Sequence, residues 1–233
     1  MTPAVKSDPL IPVSYQAISH FSRPGEDHVD ILTLSFGFPR YDDVLEPIKN
    51  AIRNARNHGV IIFAAAGNEG GNAGVFWPAS LHETGDVIRI NTSDGKGSPS
   101  SFNPSPEIGR WICTLGQGVP SCEIRVPPGP DAEPQIVYRS GSSFATPIAA
   151  AIAAIILGIM DRVDVSQYPK DLVILRPRLR TRLGMEKVLC ETCVQQMGYK
   201  RSDHFYITPW HFFEVGEQTQ VHVILKILMH VPP

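Results

Sequence analysis

The sequence predicts an α/β domain: a mainly parallel sheet flanked by helices on both faces. Residues 29–35 (Val-Asp-Ile-Leu-Thr-Leu-Ser) and the uncharged run 60–66 (Val-Ile-Ile-Phe-Ala-Ala-Ala) read as buried strands. Between them, Val44, Leu45, Ile48, Ala51, Ile52 and Ala55 recur at helical spacing. A strand, a helix and a second apolar strand form a βαβ unit, which makes the strands parallel and covers both faces of their sheet. Residues 142–160 are helical and apolar on every side, the pattern of a helix inside a domain.

The elements follow in chain order. Residues 1–28 carry Pro3, Pro9, Pro12 and Pro24 and read as irregular, with 11–21 able to form part of a short helix. Gly37 and Pro39 stop the first strand. Asp42 or Asp43 can cap the helix that follows, Pro47 falls in its tolerant first turns, and Gly59 sits where a left-handed residue closes it. Lys49, Arg53 and Arg56 occupy its opposite, solvated face. Residues 87–90 and 111–115 are further short strands, and 135–138 reads as a strand edge. The Pro-, Ser- and Gly-rich stretches 93–107 and 116–134 read as surface loops. Beyond the long helix, 161–180 reads as loop, 184–197 as an amphipathic helix ended by Gly198, and 221–231 as a weakly alternating stretch.

Composition bounds the partners. The 233 residues are 42% hydrophobic, enough for a sizeable core, and 21 Lys+Arg against 23 Asp+Glu leave no electrostatic footprint for nucleic acid or an anionic membrane. The N-terminus lacks the apolar stretch of a signal peptide, and the apolar run 148–160 falls short of the roughly 20 residues of a spanning helix. The expectation is a cytoplasmic chain with neither nucleic acid nor membrane as partner; its oligomeric state stays open. Cys190 and Cys193 form a C-x-x-C, with Cys113 and Cys122 elsewhere, and all four read as free thiols. No metal and no cofactor is expected, since the eight histidines show no i, i+4 helical pair and no carboxylate-rich loop is evident. His58 reads as a helix C-terminal residue favoured by the dipole.

Two motifs carry chemistry. Gly141-Ser142-Ser143-Phe144-Ala145-Thr146-Pro147 opens the long helix, so a serine there has its backbone N–H at the positive end of the helix dipole. Alone, this is also the pattern of a capping serine. Ala64-Ala65-Ala66-Gly67-Asn68-Glu69-Gly70 ends a strand in glycine and then presents an amide. An amide N–H₂ is a standard donor to the oxyanion of acyl transfer. Alone, this is also an ordinary turn.

Together the motifs resemble the subtilisin-like serine protease (subtilase) family. Its nucleophile lies in Gly-Thr-Ser-Met-Ala-Thr-Pro, matched at 141–147 with Ser143 as nucleophile, and its oxyanion donor in Ala-Ala-Gly-Asn-Glu-Gly, matched at 65–70 with Asn68 as donor. Ser35-Phe36-Gly37 resembles the end of the family's substrate-edge strand, Trp77-Pro78 a Tyr-Pro step that is cis in the family, and Ser101-Phe102 and 116–119 later landmarks. Gly184-Met185 and Pro209-Trp210 look like the ending of intracellular fungal members. The likeness runs over about 29–160. It implies a subtilisin-like peptidase domain at 29–198, lacking the N-terminal strands, between an irregular remnant at 1–28 and an extension at 199–233. It also implies endoproteolysis of a peptide or protein substrate. That substrate would lie against Ser35, Phe36 and Gly37, with Ala65, Ala66, Gly67 and Glu69 lining the pocket for its specificity-determining side chain. The alanines leave room for a bulky apolar group, and Glu69 favours a cation at the mouth; both remain open.

A serine hydroxyl needs an oriented base. The family's Asp-Thr/Ser-Gly and His-Gly-Thr motifs are absent; Asp8 has no glycine two residues on, and His20 and His28 read as surface residues. Three readings follow: a fragment of an active protease, inactive as this chain; a pseudoprotease that binds peptides; or an α/β-hydrolase-type esterase. The last would draw on Asp161 or Asp164 and His204 or His211.

Overall fold

The computed structural model describes residues 8–71, 73–105, 111–123, 135–164, 166, 168–193, 200–201 and 204–232. β1 (Ile31–Leu34), β2 (Ile61–Ala65), β3 (Ile88–Ser93) and β4 (Trp111–Leu115) run parallel, with Ile31 opposite Ile61, Phe63 opposite Ile88 and Ile90 opposite Ile112. β5 (Val119–Glu123) and β6 (Gln135–Arg139) pair antiparallel as a separate ribbon. β7 (Lys200–Arg201) and β8 (His204–Tyr206) extend the main sheet, β8 parallel to β4 and β7 antiparallel on the outside. The order across the sheet is β1-β2-β3-β4-β8-β7.

Each strand residue faces the layer opposite to its neighbour's, so a strand covered on both sides is apolar throughout. β2 shows this. Ile61 and Phe63 pack into one core, and Ile62 and Ala64 into the other. The first core is covered by α3 (Ser142–Arg162), α4 (Pro169–Leu179), α5 (Arg182–Cys193) and α7 (Glu217–Leu228). The second is covered by α1 (Leu10–Phe21) and α2 (Glu46–Asn57). A short helix, α6 (Trp210–Phe213), joins the tail.

Asp42 begins the first crossover as its sequence suggests. Its carboxylate accepts the Val44 N–H at 3.2 Å, a 3₁₀ turn follows, and α2 then buries Ile48, Ala51, Ile52 and Ala55. α3 is long and apolar enough, by length and composition, to cross a membrane, but Ala145, Ala149, Ile152, Ala153 and Ile156 are buried against the sheet. Its alanines let it approach closely. A Cβ on Gly116, just past β4, would stand 2.6 Å from Thr92 Cγ2 and 2.9 Å from Ala145 Cβ.

The short helix allowed at 11–21 forms as α1, which turns Ile11, Ser14 and Ile18 inward. Four local readings change. The expected loop 116–134 contains β5; residues 124–134 lie outside the described residues. The expected loop 161–180 contains α4, which opens on Pro169 and carries Pro177 near its end, and whose Leu172, Leu175 and Leu179 recur at helical spacing. The alternating stretch at 221–231 lies mostly in α7: Val221, Ile224, Leu225 and Leu228 define a helical face, and the period of two is incidental. The predicted helix 184–197 begins earlier, at Arg182, and 194–197 lie outside the described residues.

Candidate active site

The C-terminal ends of β1 and β2 and the N-terminus of α3 meet at one place, the side of a parallel sheet where ligands bind. Gly141 sets the entry to α3. Its φ of +151° and ψ of 156° fall in a region essentially reserved for glycine, and a Cβ there would stand 3.2 Å from Asn68 Nδ2. With that side open, the two motifs stitch together. The Ser142 N–H donates to Asn68 Oδ1 at 2.7 Å, and the Gly67 N–H donates to Ser142 Oγ at 3.2 Å. Ser142 is thus the buried tie, and Ser143, one residue on, faces the opening. The Asn68 amide nitrogen has no hydrogen-bond acceptor among the described residues.

Ser143 Oγ donates to the Ser35 carbonyl at 3.2 Å, and Ser35 Oγ donates to the Ser143 carbonyl at 3.2 Å. Pro147 explains the second bond. It lacks the N–H that would reach back four residues in a helix, so the Ser143 carbonyl is left for a side chain of the neighbouring strand end. The remaining landmarks lock the same region. The Gly141 N–H donates to Gly116 O at 2.8 Å, the Gly70 N–H to Phe102 O at 2.9 Å, and Phe38 and Trp77 exchange backbone bonds of 2.7 and 2.9 Å beside a cis Trp77–Pro78 peptide.

A cavity of about 200 Å³ opens here, lined by Ser35, Phe36, Gly37, Ala65, Gly67, Asn68, Glu69, Phe76, Ser142 and Ser143. Ala66 is not part of the lining. Its side chain is wholly buried, and it serves the site only through its carbonyl, which accepts the Phe76 N–H at 2.9 Å. Phe76 is the residue that sequence reasoning missed. Among the described residues, Glu69 is the one ionisable group in the lining, and no histidine belongs to it. His20 stands at the end of α1, 3.4 Å from Asp27. The residues an esterase arrangement would require are engaged elsewhere: Asp161 with Arg176 and Arg180, Asp164 with Ser166, His204 against Trp111 and His211 beside Glu214. Among the described residues no three His, Cys, Asp or Glu side chains converge as a metal site. Cys113 and Cys190 are buried and Cys122 is exposed; the Cys193 side chain lies outside the described residues.

A serine at a helix N-terminus and an amide at a strand end, joined on a parallel α/β sheet, place the chain in the subtilisin-like fold class. The chain belongs to the subtilase family: the family's sequence model, Peptidase_S8, matches residues 11–193. It is 29% identical over 112 residues to "Subtilisin-like protease 1" of Pseudogymnoascus destructans, covering 48% of this chain and 26% of that protein. It is 31% identical over 134 residues to Subtilisin NAT of Bacillus subtilis subsp. natto, covering 56% and 31%. The chain thus spans about a quarter to a third of the length of these curated relatives. Among solved structures it resembles the prenylagaramide maturation protease PagA, with a TM-score of 0.57 at 20% identity over 94% of this chain and 67% of that one. It also resembles a protease of Pseudoalteromonas arctica, with a TM-score of 0.60 at 16% identity over 91% and 59%. These two likenesses carry the fold.

Proposed function

We propose that the chain is the serine-bearing part of a subtilisin-like endopeptidase site, able to seat a peptide but not to hydrolyse it by itself. Ser143 is the nucleophile: Oγ adds to the scissile carbonyl, its proton passes to a base, the amine leaves, and water releases the acyl group. Asn68 Nδ2 and the Ser143 N–H are the donors to the tetrahedral oxyanion; losing one such donor costs about 2.7–4 kcal/mol of transition-state stabilisation. The observation that carries this reading is the convergence of Ser143 and Asn68 on one cavity, with the Asn68 amide hydrogens free to donate.

The same geometry supports inactivity in isolation. The Ser143 proton rests on a backbone carbonyl, that of Ser35, and among the described residues no histidine lines the cavity. A peptide added as a strand along Ser35–Gly37 brings an N–H to that carbonyl, a β-augmentation mode. It would displace the Ser143 hydroxyl toward the cavity. The missing base then has to be supplied by groups beyond this cavity.

The test is labelling of the purified chain by a serine-directed peptidyl phosphonate, alongside a peptidase assay. Slow labelling of Ser143, lost in Ser143→Ala, with negligible peptide turnover is expected. Rapid Ser143-dependent turnover would refute the inactivity, and labelling equal to that of Ser143→Ala would refute the preformed site.

A further inference from the structure

A second cavity, of about 720 Å³, opens at the end of the strands opposite to Ser143 and Asn68. It lies where the turn after α2, the turn before β3 and the α4–α5 junction meet. Gly59 and Gly85 line it at φ +81° and +80°, and a Cβ on Gly85 would stand 3.7 Å from Arg182 Nη2.

The lining is cationic. Residues 176–182 read Arg-Pro-Arg-Leu-Arg-Thr-Arg, ending α4 and starting α5. Arg180 and Arg182 of this run line the cavity together with Arg56 and His58 from the end of α2, and among the described residues no Asp or Glu belongs to the lining. The carboxylates of Asp86 and Glu186, which pair with Arg56 and Arg182, are almost wholly buried behind it.

Arginines also exceed carboxylates in this circuit. Arg53 and Arg56 share Asp86, and Arg176 and Arg180 share Asp161, with Arg180 also reaching Asp30. Arg178 spends its donors on the Leu228 and Val231 carbonyls at 3.3 and 2.6 Å. A guanidinium carries more N–H groups than one carboxylate accepts. Arg182 gives Nη1 to Glu186, which leaves Nε and Nη2 without an acceptor among the described residues. Arg56 gives Nη1 to Asp86 and Nη2 to Asn57 Oδ1, which leaves its Nε in the same state. The negative end of the α2 dipole points here too. Its last turn closes on itself, however: the Gly59 N–H donates to Arg56 O at 2.9 Å and the Val60 N–H to Ala55 O at 3.1 Å.

We propose that this cavity binds a phosphate ester. Forked donors on more than one arginine suit the three oxygens of a phosphate monoester, and Arg56, Arg180 and Arg182 take that group. The volume falls within the roughly 300–1,000 Å³ of small-molecule pockets, so there is room for an organic body beyond the phosphate, resting on Pro177 and exposed Leu183. An occupant touches α2, which covers the second core, and α4 and α5, which cover the first. It therefore ties the two layers together and stabilises the fold from the side remote from Ser143.

The experiment titrates naphthyl phosphate, naphthol and inorganic phosphate into the 233-residue chain by calorimetry, with Arg56→Gln, Arg182→Gln and Arg182→Lys alongside. Naphthyl phosphate is expected to bind saturably, at least about tenfold tighter than either of the others, and to raise the urea midpoint as it saturates. Arg56→Gln and Arg182→Gln are each expected to weaken it at least about tenfold, the scale of one charge-assisted hydrogen bond. Arg56→Gln leaves Asp86 paired with Arg53, and Arg182→Lys keeps a cation beside buried Glu186, so both guard against loss of fold; the Lys variant is expected to fall between. Naphthol binding as tightly as its phosphate, or equal affinity in every folded variant, overturns the inference. Inorganic phosphate binding as tightly as the ester would mean an adventitious ion only, and absence of binding likewise overturns the site.

Discussion

Gly141 decides whether Ser143 and Asn68 can share a site. Its backbone lies where a side chain is strained, and the missing Cβ is the space that Asn68 occupies. Gly141→Ala is therefore expected to cost about 1–3 kcal/mol, the usual strain at such a position. It should also push the Asn68 amide off the Ser142 N–H. A urea midpoint lowered by that amount together with weaker phosphonate labelling checks both effects; unchanged labelling would show that Asn68 does not depend on the open side. At this scale the sequence is legible where chemistry demands a fixed string. Ser143 and Asn68 can be read because their neighbours must be small. Phe76 cannot, because nothing around it signals that its ring enters a slot made by Gly37 and Gly67. That is a fact of packing between distant segments. Ala66 misleads for the related reason that alternation in an extended backbone turns it away from its neighbours Ala65 and Gly67.

Elements were legible where one period dominates. β2 is apolar at every position because both of its faces are covered, and α2 separates its apolar and cationic faces cleanly. α7 hid because Val221, Val223, Leu225 and Ile227 alternate while Val221, Ile224, Leu225 and Leu228 follow the helix; fully buried Ile224 and Leu228, which the alternation leaves out, mark the helical face, and Val223 is only half-buried. β4 carries a pH prediction of its own. Burial pushes the Cys113 thiol from 9.0 up to about 12, against a smaller opposing effect of the hydrogen bond with Ser93. The folded chain then holds this proton after the unfolded chain has lost it. The contribution to stability is complete below the unfolded value and is lost as pH rises between the two, with a limiting slope of about 1.4 kcal/mol per pH unit. Unfolding free energy measured from pH 8 upward is expected to fall more steeply in the unchanged chain than in Cys113→Ala; equal slopes would contradict the buried neutral thiol. Iodoacetamide at pH 8 should likewise modify exposed Cys122 and spare Cys113 until the chain unfolds.

In the whole molecule, the sheet is the shared wall of two cores, and this fixes how the site is held. Asn68 follows a strand that contributes alternate residues to both layers, and Ser143 sits on the helix that covers only the first. Their hydrogen-bonded register therefore depends on both layers being in place. Phe63 and Ile62 are adjacent on β2 and bury fully into opposite cores. Phe63→Ala is expected to cost about 3–5 kcal/mol and Ile62→Ala about 2–5 kcal/mol, the range for large-to-small core changes. Because a strand cannot leave one core and stay in the other, each variant should lower the midpoint of the whole chain. Helical content by far-ultraviolet circular dichroism and tryptophan fluorescence should continue to coincide, Trp77 reporting from the second core and Trp111 from buried β4. Phosphonate labelling of Ser143 should disappear at that same midpoint in both variants. If Ile62→Ala instead lowered only the fluorescence midpoint and left labelling intact, the α1–α2 layer would be an independent unit. Ser143 and Asn68 would then be held together by α3 and the first core alone.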